Sequence, residues 1–232
     1  MIDAASVQQP KSSFRQALKD YGGAVVIAIL VALAIRFFLI EAYRIPSSAM
    51  KPTLESGDTI FVSKWEFGLR LPWSASRLTQ GRPPRYGEVV VFSFPDESQV
   101  DYLKRIVGLP ADTVQVQKGK LILNGELRDF SNSTNAVCGQ EKLPGKDYEI
   151  CWEPPILEDF GPEKISRDSV FVLGDLRSQS PDARRQRSWG IVPLTAIKGR
   201  ALWTWLSIEP AGLGRVSWFS RIRFERMFKE IR

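Results

Sequence analysis

Between residues 22 and 40 the chain reads GGAVVIAILVALAIRFFLI, apolar except for Arg36. No other feature limits the fold as much. A helix over that stretch rises ~1.5 Å per residue and reaches ~28 Å, about one hydrocarbon core. The run predicts a transmembrane helix over residues 21–41. Arg36 lies near its far end, where a long side chain reaches the headgroups. A cleaved secretory leader has a shorter apolar core followed by a small-residue cleavage site. Here the run continues into Glu41-Ala42-Tyr43-Arg44-Ile45-Pro46 instead. A buried helix of a soluble domain is the competing reading. Lys11, Arg15 and Lys19 precede the run, which predicts a cytoplasmic tail over residues 1–20 and an extracytoplasmic remainder.

Beyond residue 45 the patterning shifts to short β-type runs. Thr59-Ile60-Phe61-Val62 and Val89-Val90-Val91-Phe92 are rich in β-branched and aromatic residues. Val114-Gln115-Val116-Gln117 alternates, Lys118-Gly119 offers a turn, and residues 120–123 return before Asn124-Gly125, which reads as a hairpin. Residues 169–173, 199–206 and 216–219 supply further strands, and long helical periodicity is missing. The expected fold is mainly β: a transmembrane helix, then an antiparallel β domain with a second, smaller inserted β lobe. The core takes residues 42–111 and 169–232, and the lobe takes 112–168. Residues 81–87 read as a linker between strands. Trp65 and Trp73 suit a membrane interface or ordinary core packing equally at Trp65, and the core less at Trp73.

Histidine is absent from all 232 residues. That excludes Ser-His-Asp and Cys-His catalysis and imidazole-based zinc sites, and leaves lysine, a carboxylate or tyrosine as general base. The two cysteines, Cys138 and Cys151, are too few for a tetrahedral thiolate site. Outside the cytoplasm they would close a loop as a disulfide; two unpaired thiols are the alternative. The net charge of +6 is spread along the chain. Arg177, Arg184, Arg185 and Arg187 cluster, and Arg215, Arg221, Arg223, Arg226, Lys229 and Arg232 populate the tail. No nucleic-acid motif accompanies them, so membrane lipid is the expected partner of this charge, not nucleic acid.

Three segments carry chemistry. The first, Ile45-Pro46-Ser47-Ser48-Ala49-Met50-Lys51-Pro52-Thr53-Leu54, follows the apolar run and leads to Gly57-Asp58. The second runs from Asp101-Tyr102-Leu103-Lys104-Arg105 to Pro110. The third is Gly174-Asp175-Leu176-Arg177-Ser178-Gln179-Ser180-Pro181-Asp182-Ala183-Arg184, followed by Trp189-Gly190. In this order, behind an apolar helix and without histidine, the chain resembles the bacterial type I signal peptidases. These are Ser/Lys endopeptidases that remove signal peptides from secreted preproteins. The likeness runs to about residue 205.

The resemblance implies a role for each matching position. The nucleophile falls at Ala49, where the family has serine, and Lys104 is the general base. Ser47 and the residue-49 backbone N–H bind the oxyanion. Ser180 orients the lysine, and Asp182 with Arg184 supports the site. Asp58 is read as structural. An ammonium cannot accept a proton, so such a base needs an apolar surround that disfavours its charge. Neutral lysine then takes the serine proton, and preorganised donors stabilise the oxyanion.

Alanine has no Oγ, so the chain as written is expected to be inactive by this route. Ser48, one residue off, faces the opposite way in an extended segment. Either the chain is a natural pseudoprotease, or a native serine was replaced; the presence of every other matched residue favours replacement. The resemblance further implies small-X-small cleavage sites, a bacterial inner-membrane location with one pass, and preprotein partners. Candidate pocket walls are Ile45, Pro46, Met50, Leu54, Tyr102 and Leu103. No cofactor or metal is expected. The competing readings are a dedicated peptidase of the same chemistry and a noncatalytic, membrane-tethered binder of signal peptides.

Overall fold

In the computed structural model, residues 14–69, 77–94, 99–128, 130–132, 137–154, 158–177, 190–210 and 219–231 are described. One helix, α1 (Phe14–Phe38), precedes the β structure. The strands are β1 (Ile40–Arg44), β2 (Asp58–Ser63), β3 (Val89–Phe92), β4 (Tyr102–Gly108), β5 (Thr113–Gln117), β6 (Lys120–Leu123), β7 (Glu126–Leu127) and β8 (Phe130–Asn132). They continue with β9 (Cys138–Leu143), β10 (Lys146–Cys151), β11 (Phe160–Lys164), β12 (Ser169–Leu173), β13 (Ile191–Pro193), β14 (Ile197–Ser207) and β15 (Lys229–Glu230). The fold is mainly antiparallel β, the class the sequence predicts.

The large sheet runs β1-β2-β14-β3-β4-β12-β13, with β15 added to β14. Its middle strands, β3 (VVVF) and β12 (SVFVL), are buried along their whole length. Continuous apolar runs of this length suit strands covered on both faces. Alternation along β3 sends Val89 and Val91 to one core, shared with Met50, Leu54 and Ile60. Val90 and Phe92 join Ile106 and Val172 in another.

Two smaller sheets, β11-β5-β6-β7 and β10-β9-β8, carry the chain from residue 113 to 164. At the β5–β6 turn Lys118 and Gly119 have φ of 48° and 75°, and at β6–β7 Asn124 and Gly125 have 56° and 81°. Two successive left-handed residues give the turn whose twist matches the flanking strands. Val114, Val116, Leu121 and Ile150 from these sheets pack against Val107, Phe171 and Leu173 of the large sheet. Cys138 and Cys151, paired across β9–β10, form a disulfide.

The predicted transmembrane helix needs correction. The helix stops at Phe38, and Ile40 pairs with Ser63 of β2, so the end of the expected span belongs to the sheet. Arg15, Lys19 and Asp20 occupy its opening turns. Among the described residues, no helix is long and apolar enough to cross a membrane. What α1 does carry is exposed apolar surface, including Val26, Ile27 and Leu30. The strand expected at 216–219 falls mostly outside the described residues, and Phe219 opens a short 3-10 turn (Phe219–Arg221). Trp65 is 57% exposed, not core; Trp73 lies outside the described residues.

Candidate functional site

The segment between β1 and β2 carries Ala49. Hydrogen bonds from Lys51 N to Ser48 O (3.0 Å) and Leu54 N to Met50 O (2.9 Å) fold it into consecutive turns. Met50 and Leu54 point into the core and anchor those turns from below. Leu176 N, from the segment after β12, donates to Ala49 O at 3.3 Å.

Lys104 sits in β4 opposite Val90 of β3. On its other side β12 pairs Leu173 with Arg105, so the antiparallel register brings Gly174 alongside Lys104. A Cβ placed on Gly174 would stand 2.6 Å from Ala49 O and 3.1 Å from Lys104 Nζ. The Ala49 carbonyl oxygen and the Lys104 amine therefore both lie against one bare glycine, although they are far apart in sequence. Both are half-buried.

Beneath this meeting point lies a buried ionic layer. Arg105 and Asp175 are both fully buried. The guanidinium donates to the carboxylate twice, Nε to Oδ1 at 2.7 Å and Nη2 to Oδ2 at 2.6 Å. Its remaining donors reach Gly87 O (2.7 Å) and Thr53 Oγ1 (3.1 Å), while Thr53 Oγ1 donates to Asp175 Oδ2 at 2.5 Å. The plane also stacks over Tyr148, 4.4 Å from the ring centre. Burial disfavours the Arg105 cation, but Asp175 outweighs it and holds the arginine pKa above its ordinary value. Bidentate pairing of this kind satisfies both ions, and removing one partner strands the other.

Arg177 is the second buried cation. It donates to Glu141 Oε2 at 2.5 Å, Gly119 O at 3.0 Å and Gly174 O at 3.1 Å. Tyr148 OH donates to the same Glu141 oxygen. Burial, reinforced by Glu141, pushes the Tyr148 phenol well above its usual range, so it stays a neutral donor. Two backbone bonds complete the tie: Cys151 N to Asp175 O (2.9 Å) and Arg177 N to Cys151 O (2.7 Å). The smaller sheets thus hold residues 174–177 against the large one. The basic cluster expected to attract lipid headgroups loses Arg177, which the structure buries with its donors on Glu141 and two carbonyls.

Of the other expected site residues, Ser47 is exposed, two residues before the turn that starts at Ala49. Ser180, Asp182 and Arg184 lie outside the described residues. Among the expected pocket walls, Met50 and Leu54 are fully buried and Ile45 is nearly so, all three in one core cluster with Ile60 and Val62. Pro46 is exposed, and Tyr102 and Leu103 are half-buried, with Tyr102 stacked on Phe92 at 5.8 Å. Thr53, Arg105 and Asp175 lie within the three sequence segments but carry no assigned role there, and Glu141 and Tyr148 lie outside them. Arg105 and Asp175 stand directly beside Lys104 and Gly174, so adjacency of opposite charges to the motif residues was the available signal.

Comparison with known proteins sets the class: the chain matches a peptidase family. That family is described as Signal peptidase, peptidase S26, and the match covers residues 18–206, so the chain belongs to it. It is 34% identical to signal peptidase I of Pseudomonas fluorescens, over 94% of this chain and 84% of that one. Identity to signal peptidase I of Pseudomonas aeruginosa is also 34%, over 88% and 78%. The signal peptidase I of Bacillus licheniformis is 32% identical over 76% of this chain and 83% of its own.

Proposed function

We propose that this chain is the scaffold of a signal peptidase I that removes signal peptides from secreted preproteins by Ser/Lys chemistry. In this reading residue 49 carries serine in the active form, and Ala49 leaves the chain catalytically silent. The observation that carries it is that the Ala49 carbonyl oxygen and Lys104 Nζ both lie against Gly174.

In the active form, neutral Lys104 takes the proton from the residue-49 hydroxyl as Oγ bonds to the scissile carbonyl carbon. The carbonyl oxygen becomes an oxyanion, held by the residue-49 N–H and the Ser47 hydroxyl. The Lys104 ammonium then protonates the leaving amine, which departs as the new N-terminus and leaves an acyl ester. A water molecule, deprotonated by Lys104, releases the signal peptide as a carboxylic acid and restores the hydroxyl. Ser180 orients the amine, and Asp182 with Arg184 supports that segment. Pro46, Tyr102 and Leu103 contact the small residues before the cut. The exposed apolar surface of α1 lies in a bacterial membrane, where the substrate's own signal segment is found.

The experiment is the reversion Ala49→Ser. Cleavage of a preprotein after a small-X-small sequence is expected, with at least a ~10³-fold loss when Lys104→Ala is added. A revertant that cuts no better than this double variant defeats the reading. Ala49 itself favours one other function, noncatalytic capture of signal peptides; that reading is upheld if the revertant binds peptide without ever turning it over.

A further inference from the structure

The segment carrying Ala49 is gripped from a distant part of the chain. Its neck is closed by Ile45 N to Asp58 O (2.8 Å) and Gly57 N to Ile45 O (2.9 Å). Two arginines of the C-terminal region, at the short 3-10 turn Phe224–Arg226, reach into it. Arg223 donates to Glu55 Oε2 (2.7 Å), Ser56 O (2.9 Å) and Asp58 Oδ1 (3.1 Å). Arg226 donates to Asp58 Oδ2 (2.8 Å), Thr53 O (3.3 Å) and Glu55 Oε1 (3.5 Å). Ser207 at the end of β14 donates its hydroxyl to Asp58 Oδ1 at 2.7 Å and accepts from Arg223 Nε at 2.8 Å.

Asp58 is fully buried, so its charge depends on these partners. Burial alone would raise its carboxyl pKa, yet the bond from Arg226 and the Glu55 N–H hold it below the ordinary value. If the arginines served only to neutralise Asp58 at the start of β2, they would have no reason to reach farther. They extend instead to Ser56, Glu55 and Thr53, toward Ala49. Thr53 is held twice, its carbonyl by Arg226 and its hydroxyl by Arg105, the neighbour of Lys104. One residue further, Leu54 N closes the turn on Met50 O. From the C-terminal turn the bonds thus reach Thr53, whose hydroxyl donates to Asp175, and the N–H of the next residue, Leu176, donates to Ala49 O.

We propose that Arg223 and Arg226 are positioning residues: the C-terminal turn is a strap that sets where residue 49 stands relative to Lys104. The catalytic consequence rests on the Ser/Lys reading above; the mechanical one does not. A nucleophile displaced by ~1 Å costs on the order of 10²-fold in rate.

The test has two arms on the full chain. In the Ala49→Ser background, Arg226→Gln is expected to lower kcat by ~10–100-fold with KM within ~2-fold, and Arg226→Lys to recover part of the loss. Lys229→Gln, an equal charge change on the same tail, leaves kcat alone. In the Ala49 chain, hydrogen exchange at the Leu176 amide, bonded to Ala49 O, is expected to quicken ~10-fold in Arg226→Gln while the Ile122 amide stays unchanged. If Arg226→Gln does not fold, Arg226→Lys and Glu55→Gln are read the same way. Unchanged kcat and Leu176 exchange, even with a lowered Tm, overturn the proposal and leave a clamp of purely structural value. Equal quickening at Leu176 and Ile122 overturns it as well. A silent Ala49→Ser protein with both arginines intact counts against the peptidase reading alone, and Leu176 exchange then decides the strap.

Discussion

At Gly174 a missing side chain does the positioning. An alanine there would place its Cβ 2.6 Å from Ala49 O, a backbone atom that cannot swing aside, and 3.1 Å from the Lys104 amine. Gly174→Ala in the Ala49→Ser background is therefore expected to lower kcat by at least ~10-fold and to cost ~1–3 kcal/mol from overpacking. Steady-state kinetics with urea denaturation checks both, and full activity would show that the two groups do not need this closeness. Much at this scale was legible, because Ala49, Lys104 and Gly174 all lie in segments that carry the family resemblance. The buried partners were not. An arginine in sequence looks the same whether it faces lipid or, like Arg177, spends its donors on Glu141 and two carbonyls. Burial of a charge is decided by a partner far along the chain, which no local pattern records.

Elements were read well where local chemistry sets them. The β5–β6 hairpin declared itself through alternation and a Lys-Gly turn that the structure holds in the left-handed region. The runs that form β2, β3 and β12 are rich in β-branched and aromatic residues, and β14 carries Trp203 and Trp205. Ile40 and Glu41, the first two residues of β1, fall within the helix expected over 21–41 because the apolar run reaches Ile40; cross-strand pairing with β2 outweighs that continuity. β9 and β10 are polar on their exposed sides and escaped notice, although their facing ends carry the disulfide. That bridge closes a short loop, and Cys151 is bonded through its backbone to both Asp175 and Arg177. Replacing both cysteines by serine is expected to cost ~2–3 kcal/mol, read as a shifted urea midpoint. Exchange should quicken at the Cys151 and Arg177 amides and not in β3. A midpoint unmoved by the replacement would show that the bridge adds nothing to this link.

For the molecule as a whole, the exposed apolar side chains of α1 are the feature from which a membrane location is expected. The apolar side chains of α1 that face outward have no protein to cover them among the described residues, and water is a poor solvent for so continuous a surface. The full chain is expected to sediment with membranes and to resist high-salt extraction, whereas a form lacking residues 1–38 is expected in the supernatant. Salt extraction of the full chain would mean that charge alone holds it there. The C-terminal strap adds an ordering in time. Asp58 and Arg223 are 165 residues apart, so a ribosome delivers the loop long before the arginines that hold it. β2 also waits for β14, its neighbour from the far end of the chain. A half-made copy thus exposes an unbraced loop with a buried-to-be carboxylate still in water, and the loop is braced only after residues 223–226 have been made. Until residues 223–226 exist, Asp58 has neither arginine to offset its burial, so the loop ahead of β2 stays loose in a partly made chain.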